Sequence, residues 1–273
     1  MRSGTTRSTT GRTPRALLLP AGIALLLLAG PLVALLVRAP WAEIPGLLAG
    51  PVVLPALALS IGTALASTAV CILIGVPLAA VLAGSDGWPR GLTRVTRAIV
   101  ATPLVLPPVV GGIALLLLLS RTGLLGQALY AGFGITIPFT TVAVVIAQTF
   151  VGLPFLVLSV EGALRGVDSR FAVASATLGA SPWLTFSRVV LPLAAPGVAA
   201  GAVLSFARAL GEFGATITFA GSLPGVTETL PVAAYIALTN DPGSAIAIAV
   251  VLVLVAIAVL VTLRERWLTG LRP

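Results

Sequence analysis

The sequence predicts an all-α integral membrane protein of about six transmembrane helices, and three observations carry that reading. Of the 273 residues, 58% are hydrophobic and 9% charged, against about 25% charged in an ordinary soluble domain, and mean hydropathy is +1.13. The apolar residues fall into runs of membrane-crossing length with short polar connections, which leaves no room for a large soluble domain. All sixteen basic residues are arginines, and thirteen of them collect in the two termini and alternate connections, the asymmetry of the positive-inside rule.

Residues 1–15 hold Arg2, Arg7, Arg12 and Arg15 among Ser, Thr and Gly and read as a disordered cytoplasmic tail. Residues 16–273 then form a single membrane domain. An arginine-rich start before a Leu-rich run also fits a signal peptide. Residues 16–37, however, exceed a usual signal core and lack a small-x-small site followed by soluble sequence, so they read as a retained first span. The second span lies within residues 52–83, longer than a bilayer requires; Gly62, Ser67 and Thr68 offer small contacts, and Pro77 is expected to bend its inner end. Residues 84–98, with Asp86, Arg90, Arg94, Arg97 and an interfacial Trp88, read as a loop.

The third span, residues 99–119, carries Pro103, Pro107 and Pro108 in its first half, which is incompatible with a regular helix. It is either a broken helix lining a pathway or a kinked helix packed inside the bundle. After a loop with Arg121 and Gly132-Phe133-Gly134, the fourth span covers residues 139–159, the fifth 197–219 and the sixth 245–263. Between the last two, residues 224–241 contain LPVAAYIAL, too short to cross and expected at the outer face.

Charge sorting orients this chain. Arg90, Arg94 and Arg97, then Arg165, Arg170 and Arg188, then Arg264, Arg266 and Arg272 share a side with the N-terminal arginines. Arg38 and Arg121 fall on the other. Both termini and the 160–196 connection are therefore expected in the cytoplasm of a multi-pass inner-membrane protein. The same distribution accounts for the net charge of +8 without nucleic acid. The absence of His removes a histidine base, and the absence of Lys removes a P-loop lysine, so any ATP hydrolysis belongs to another subunit. Cys71, the lone cysteine, excludes an intrachain disulfide and reads as a small packed residue.

Residues 160–196 are a polar island between apolar spans. Asp168 or Ser169 can cap a helix running through Leu178, Gly179 can end it in a left-handed conformation, and Ser181-Pro182 can begin another. Inside the fifth span, Arg208 and Glu212 stand four residues apart and so on one helix face. They are either a self-neutralising pair that fixes packing or the electrostatic element of an anion pathway. No nucleophile or second carboxylate lies within helical reach, so neither reads as catalytic.

Two stretches carry a family resemblance. Ala174-Ser175-Ala176, Leu178-Gly179, nine residues, then Val189-Val190-Leu191-Pro192 resembles the EAA loop of bacterial ABC-importer permeases, with Val173 where the family has Glu and Ser175 for its second Ala. Phe206-Ala207-Arg208-Ala209-Leu210-Gly211-Glu212-Phe213-Gly214-Ala215-Thr216, with Leu223-Pro224-Gly225-x-Thr227-x-Thr229-Leu230-Pro231, resembles the molybdate permeases among them. Sulfate/thiosulfate permeases share the first stretch better than the second.

The resemblance implies a type I ABC-importer permease for molybdate, with tungstate sharing the route and sulfate as the alternative. It implies a homodimer in the lipid bilayer, two ATPase subunits carrying the ATP and Mg, no cofactor in this chain, and an extracytoplasmic molybdate-binding protein. Coupling would rest on Ala174, Ser175, Leu178, Gly179, Ala180, Pro182, Leu191 and Pro192, and the pathway on Arg208, Glu212, Thr216, Pro107 and Pro108. An autonomous ion-coupled carrier, the alternative from another class, would be expected to hold more intramembrane carboxylates than Glu212.

Overall fold

A computed structural model describes residues 14–269, and no strand occurs among them. The expected tail lies outside the described residues up to residue 13, as does Arg272; its last member, Arg15, already belongs to a single 3-10 turn, Arg15–Leu17. Among the described residues, five helices are long and apolar enough to cross a membrane, and a bent pair supplies a sixth crossing if its two parts count as one.

The first helix, α1 (Leu18–Arg38), buries none of its residues and meets the helix at 242–269 along part of its length. A helix apolar all round and open on all sides is one solvated by lipid. The short α2 (Ile44–Ala49) then leads into α3 (Val53–Ala83), a single 31-residue helix with Pro77 inside it. At 1.5 Å per residue it runs about 46 Å, well beyond the hydrocarbon thickness. Gly62 faces open space and so offers no close contact, whereas Ser67 and Thr68 are buried in the bundle, each hydroxyl donating to the Ala64 carbonyl of its own helix.

The core is α3 packed against α7 (Thr141–Gly166) and α10 (Leu191–Leu210), around Cys71, Leu82, Leu156, Val157 and Val160. Small residues set the spacing. Gly75 lies under Leu156, Gly152 under Ser205, and Gly197 and Gly201 under Ala163 and Ser159. These pairs run in opposite order along α7 and α10, so the two helices are antiparallel, with backbones close enough that a methyl group would collide.

The expected loop at 84–98 is mostly helix: α4 (Arg90–Val105) begins at Arg90 and contains Pro103, and α5 (Pro108–Leu119) follows at a bend of 118°. The break therefore falls at Leu106–Pro107 alone, where two consecutive residues without N–H groups hold Leu106 extended (ψ 131°). Arg97 of α4 bonds Glu161 near the end of α7, whereas α5 packs on Ala143, Val144 and Ala147 near its beginning. The bent pair thus joins the two ends of the bundle. The expected loop after it contains α6 (Gly126–Phe133), closed by Gly134 at φ 68°.

The fifth span also departs from the expected 197–219. Beyond two short helices described below, a π-type turn at Phe186–Val190 feeds into α10, with the Leu191 N–H reaching back five residues to Phe186; Pro192 has no N–H to give Arg188. The membrane helix accordingly starts at Pro182 and stops at Leu210. A separate turn, α11 (Gly214–Phe219), follows the break. The LPVAAYIAL piece is α12 (Leu230–Asn240), whose first amide, that of Leu230, donates to Ser60 Oγ of α3 at 2.7 Å. The last helix is α13 (Pro242–Thr269).

Candidate functional site: a capped surface hairpin and a junction of two helix breaks

The 160–196 island divides differently from its expected bounds. Its first residues continue α7 to Gly166, and there Glu161, 7% exposed, accepts from Arg97 at 2.7 Å and Arg165 at 3.0 Å. Arg165 reaches Asp86 and the Leu82 carbonyl as well, so the ends of α3 and α7 are fastened together and, through Arg97, to the middle of α4.

Past Val167 the chain turns outward. Of the two candidate caps, Asp168 is the one used: its Oδ1 accepts from the Arg170 amide at 2.9 Å and opens α8 (Ser169–Thr177). The Arg170 guanidinium bonds the same carboxylate and holds it below the usual Asp range. Gly179, at φ 83°, closes the helix. Its amide bonds Ala176 O, and the Ala180 amide bonds Ser175 O, the paired pattern of a Schellman cap. Ser181 Oγ accepts from Leu184 to open α9 (Pro182–Thr185), and Ser175 and Thr185 hydroxyls stand 3.0 Å apart, tying the two short helices.

Neither α8 nor α9 buries a residue. Leu178 is 88% exposed and Trp183 74%, with Val173 and Phe171 also open. Of the sequence-predicted coupling residues, Ala174, Leu178, Gly179, Pro182 and Pro192 are exposed, and Ser175, Ala180 and Leu191 are half-buried. The hairpin is rigid in its backbone and apolar at its tip, the composition of a surface that is covered in an assembly.

The second region lies deeper. Arg208 is near the end of α10 and Glu212 lies beyond it, so the expected pair on one continuous helix is instead a pair across a helix end. It still forms: Arg208 Nη2 is 2.7 Å from Glu212 Oε2. The approach lacks hydrogen-bond alignment, so the contact is ionic rather than directional. Glu212 Oε1 accepts from the Ala215 amide at 2.7 Å and so caps α11. Glu212 is 1% exposed, whereas the Arg208 side chain is 30% exposed.

This break abuts the other. A Cβ built on Gly214 would sit 2.8 Å from Pro108 Cβ, and one on Gly112 would sit 3.0 Å from Ala215 O, so α11 lies directly on the first turns of α5. Pro108, Glu212 and Thr216 therefore belong to elements that meet, with Pro107 and Pro108 exposed and Thr216 buried, its hydroxyl without a partner. Interrupted helices inside a membrane are tolerated where backbone is buried in protein or lines a cavity. Sequence reasoning did not find the contact of these breaks, nor the Arg97–Glu161 bond 64 residues apart. Spacing in the chain carries no signal for either.

Residues 75–269 match the family model described as the binding-protein-dependent transport system inner membrane component. The chain is 53% identical over 234 residues to the molybdenum transport system permease protein ModB of Mycobacterium bovis, covering 86% of this chain and 87% of that protein. It is 42% identical over 166 residues to the Escherichia coli protein of the same name, covering 61% and 72%. Among solved structures it resembles a bacterial ABC transporter involved in alginate import, with TM-score 0.68, 18% identity and coverage of 94% of this chain and 95% of that one. With most of its length inside the match, the chain belongs to the family of inner membrane components of binding-protein-dependent transport systems.

Proposed function

We propose that this chain is the permease subunit of an ATP-driven importer that carries molybdate, and with it tungstate, into the cytoplasm. The observation that carries the substrate is the 53% identity to a molybdenum transport permease over 86% of the chain. Two copies form the conduit. Two ATPase subunits, which hold the ATP and Mg, dock on α8 and α9, and an extracytoplasmic binding protein delivers the anion. The island end and both termini face the cytoplasm, in keeping with the arginine distribution.

In this reading the ATPase pair moves α8 and α9 as one body, because the Gly179 cap and the Ser175–Thr185 contact leave little freedom between them. Rigid-body rocking of packed helices is a recognised route between two access states. The junction of the two breaks takes up the strain of that motion, since a helix already interrupted needs no hydrogen bond broken to change its angle. Arg208, paired yet partly open, offers the passing anion attraction without a trap, because Glu212 offsets most of its charge.

Uptake of labelled molybdate into cells lacking their own importer tests this. Accumulation should require a co-expressed cognate ATPase and binding protein, and tungstate should compete while sulfate does not. Molybdate accumulation with this chain expressed by itself would refute the reading.

A further inference from the structure

Beside the Glu161 cluster lies a basic cleft of about 360 Å³, bounded by Asp86, Trp88, Arg90, Arg94, Arg97 and Arg165. Four guanidiniums face it. The nearby carboxylates are Glu161, bonded to Arg97 and Arg165, and Asp86, bonded to Arg165. Arg90 and Arg94 have no carboxylate partner among the described residues, so the cleft keeps an excess of two positive charges on side chains that are exposed. The cleft also sits at the start of α4, whose first turn has no side-chain cap and no acidic residue. Its free amides add to the positive potential.

The surroundings of the cleft bear on the source of the anion. Two membrane-crossing helices, α3 and α7, finish here at Ala83 and Gly166. Trp88 on the rim is the residue type that settles at headgroup level. On α4 the arginines at 90, 94 and 97 share one face, and the opposite face presents Leu92, Val95 and Ile99, all more than half exposed. That helix meets a charged layer and an apolar layer at once, as a helix at the hydrocarbon boundary does.

We infer that this cleft binds the phosphodiester headgroup of an anionic phospholipid, with Arg90 and Arg94 as its primary contacts and Arg97 and Arg165 behind them. The inference rests on the membrane fold and is independent of the transported substrate and of any ATPase. Lipid bound there would brace α4 against α7 on the side away from the 118° bend. Basic pockets between membrane helices are the known form of such sites.

The test uses the full-length chain purified in detergent and titrated with phosphatidylglycerol or phosphatidylcholine, with retained lipid counted by native mass spectrometry. Phosphatidylglycerol should be retained preferentially. Arg90→Gln and Arg94→Gln should each weaken its retention about fivefold and the double variant about thirtyfold, with phosphatidylcholine unaffected; Arg90→Lys/Arg94→Lys should keep most of it. Thr93→Glu, which adds a negative charge to the cleft from a different position, should give the same loss and guards against misfolding of the arginine variants. Equal retention of the two lipids, or undiminished phosphatidylglycerol in both the Gln double variant and Thr93→Glu, would overturn the inference. Displacement of the lipid by millimolar inorganic phosphate would also overturn it, in favour of a site for free oxyanions. None of these outcomes bears on molybdate uptake, so failure here and failure of the transport reading are separable.

Discussion

Glu212 holds two elements with its two oxygens: Oε2 lies 2.7 Å from Arg208 on α10, and Oε1 accepts the Ala215 amide of α11. One carboxylate therefore bridges the break. Glu212→Gln keeps an acceptor for Ala215 but strands a partly buried guanidinium, whereas Glu212→Ala removes the cap as well. Breaking a buried pair costs about 3–5 kcal/mol, and the partial exposure of Arg208 puts the Gln variant at about 3 kcal/mol or less, with Ala about 1 kcal/mol worse. Thermal unfolding in detergent should rank wild type, then Gln, then Ala. Equal unfolding temperatures for all three would remove the bridging role.

The exposed tip at Leu178 and the left-handed Gly179 separate two contributions of the hairpin. Leu178→Asp leaves the fold intact, since the side chain touches little of its own chain at 88% exposure. Loss of a central apolar anchor of an interface costs about 2 kcal/mol or more, so ATPase recovered with the permease in pull-down should fall about thirtyfold. Gly179→Ala acts on the backbone instead. A side chain at φ 83° costs about 1–2 kcal/mol, which should loosen the hairpin and lower uptake while leaving much of the association in place. Normal ATPase recovery with Leu178→Asp would move the docking surface elsewhere.

What the sequence disclosed divides along a physical line. Local chemistry was readable: Asp168, Gly179 and Ser181 act as caps and stops where their side chains and φ preferences place them. Long apolar runs gave the spans, because the bilayer fixes their length. Boundaries failed where tertiary partners decide. The start of α4 reads as a loop because arginines interrupt its apolar residues, although all three lie on one helical face and Arg97 finds Glu161 there. The stop at Leu210 was hidden as well. Gly211 and Phe213 look tolerable in a membrane helix, and only the buried carboxylate at 212, ion-paired on one side and hydrogen-bonded on the other, reveals the interruption. The family's Glu is Val173 here, 61% exposed and free of ion pairs, so any contact that it makes in the assembly is apolar.

The closest helix approach in the core is also testable. A Cβ on Gly197 would lie 2.1 Å from Ala163 Cβ, well inside contact distance. Gly197→Ala should therefore destabilise by about 1–3 kcal/mol through overpacking, even though alanine is the better helix former. Adding Ala163→Gly removes the opposing methyl and should recover most of the loss, which a double-mutant cycle measures as coupling between the two positions. Additive effects of the two substitutions would mean that α7 and α10 do not pack at this point.

Glu228 gives a pH-dependent expectation at the other end of the bundle. It lies in the connection between α11 and α12, 9% exposed, and burial pushes its carboxyl above the usual Glu range. A group whose folded value is raised contributes its stability below the unfolded value, about 4.3, and loses it as pH climbs through the folded one. At neutral pH, above the unfolded value, the wild-type protein therefore bears a cost from this poorly solvated carboxyl that is absent at low pH. Glu228→Gln keeps the shape and removes the charge. Its unfolding temperature in detergent should exceed that of wild type at pH 7.5, and the gap should close as pH is lowered to 4.5. A Gln variant that is less stable at pH 7.5 would mean that the carboxylate has a stabilising partner there, and that the ionised form is the one the fold selects.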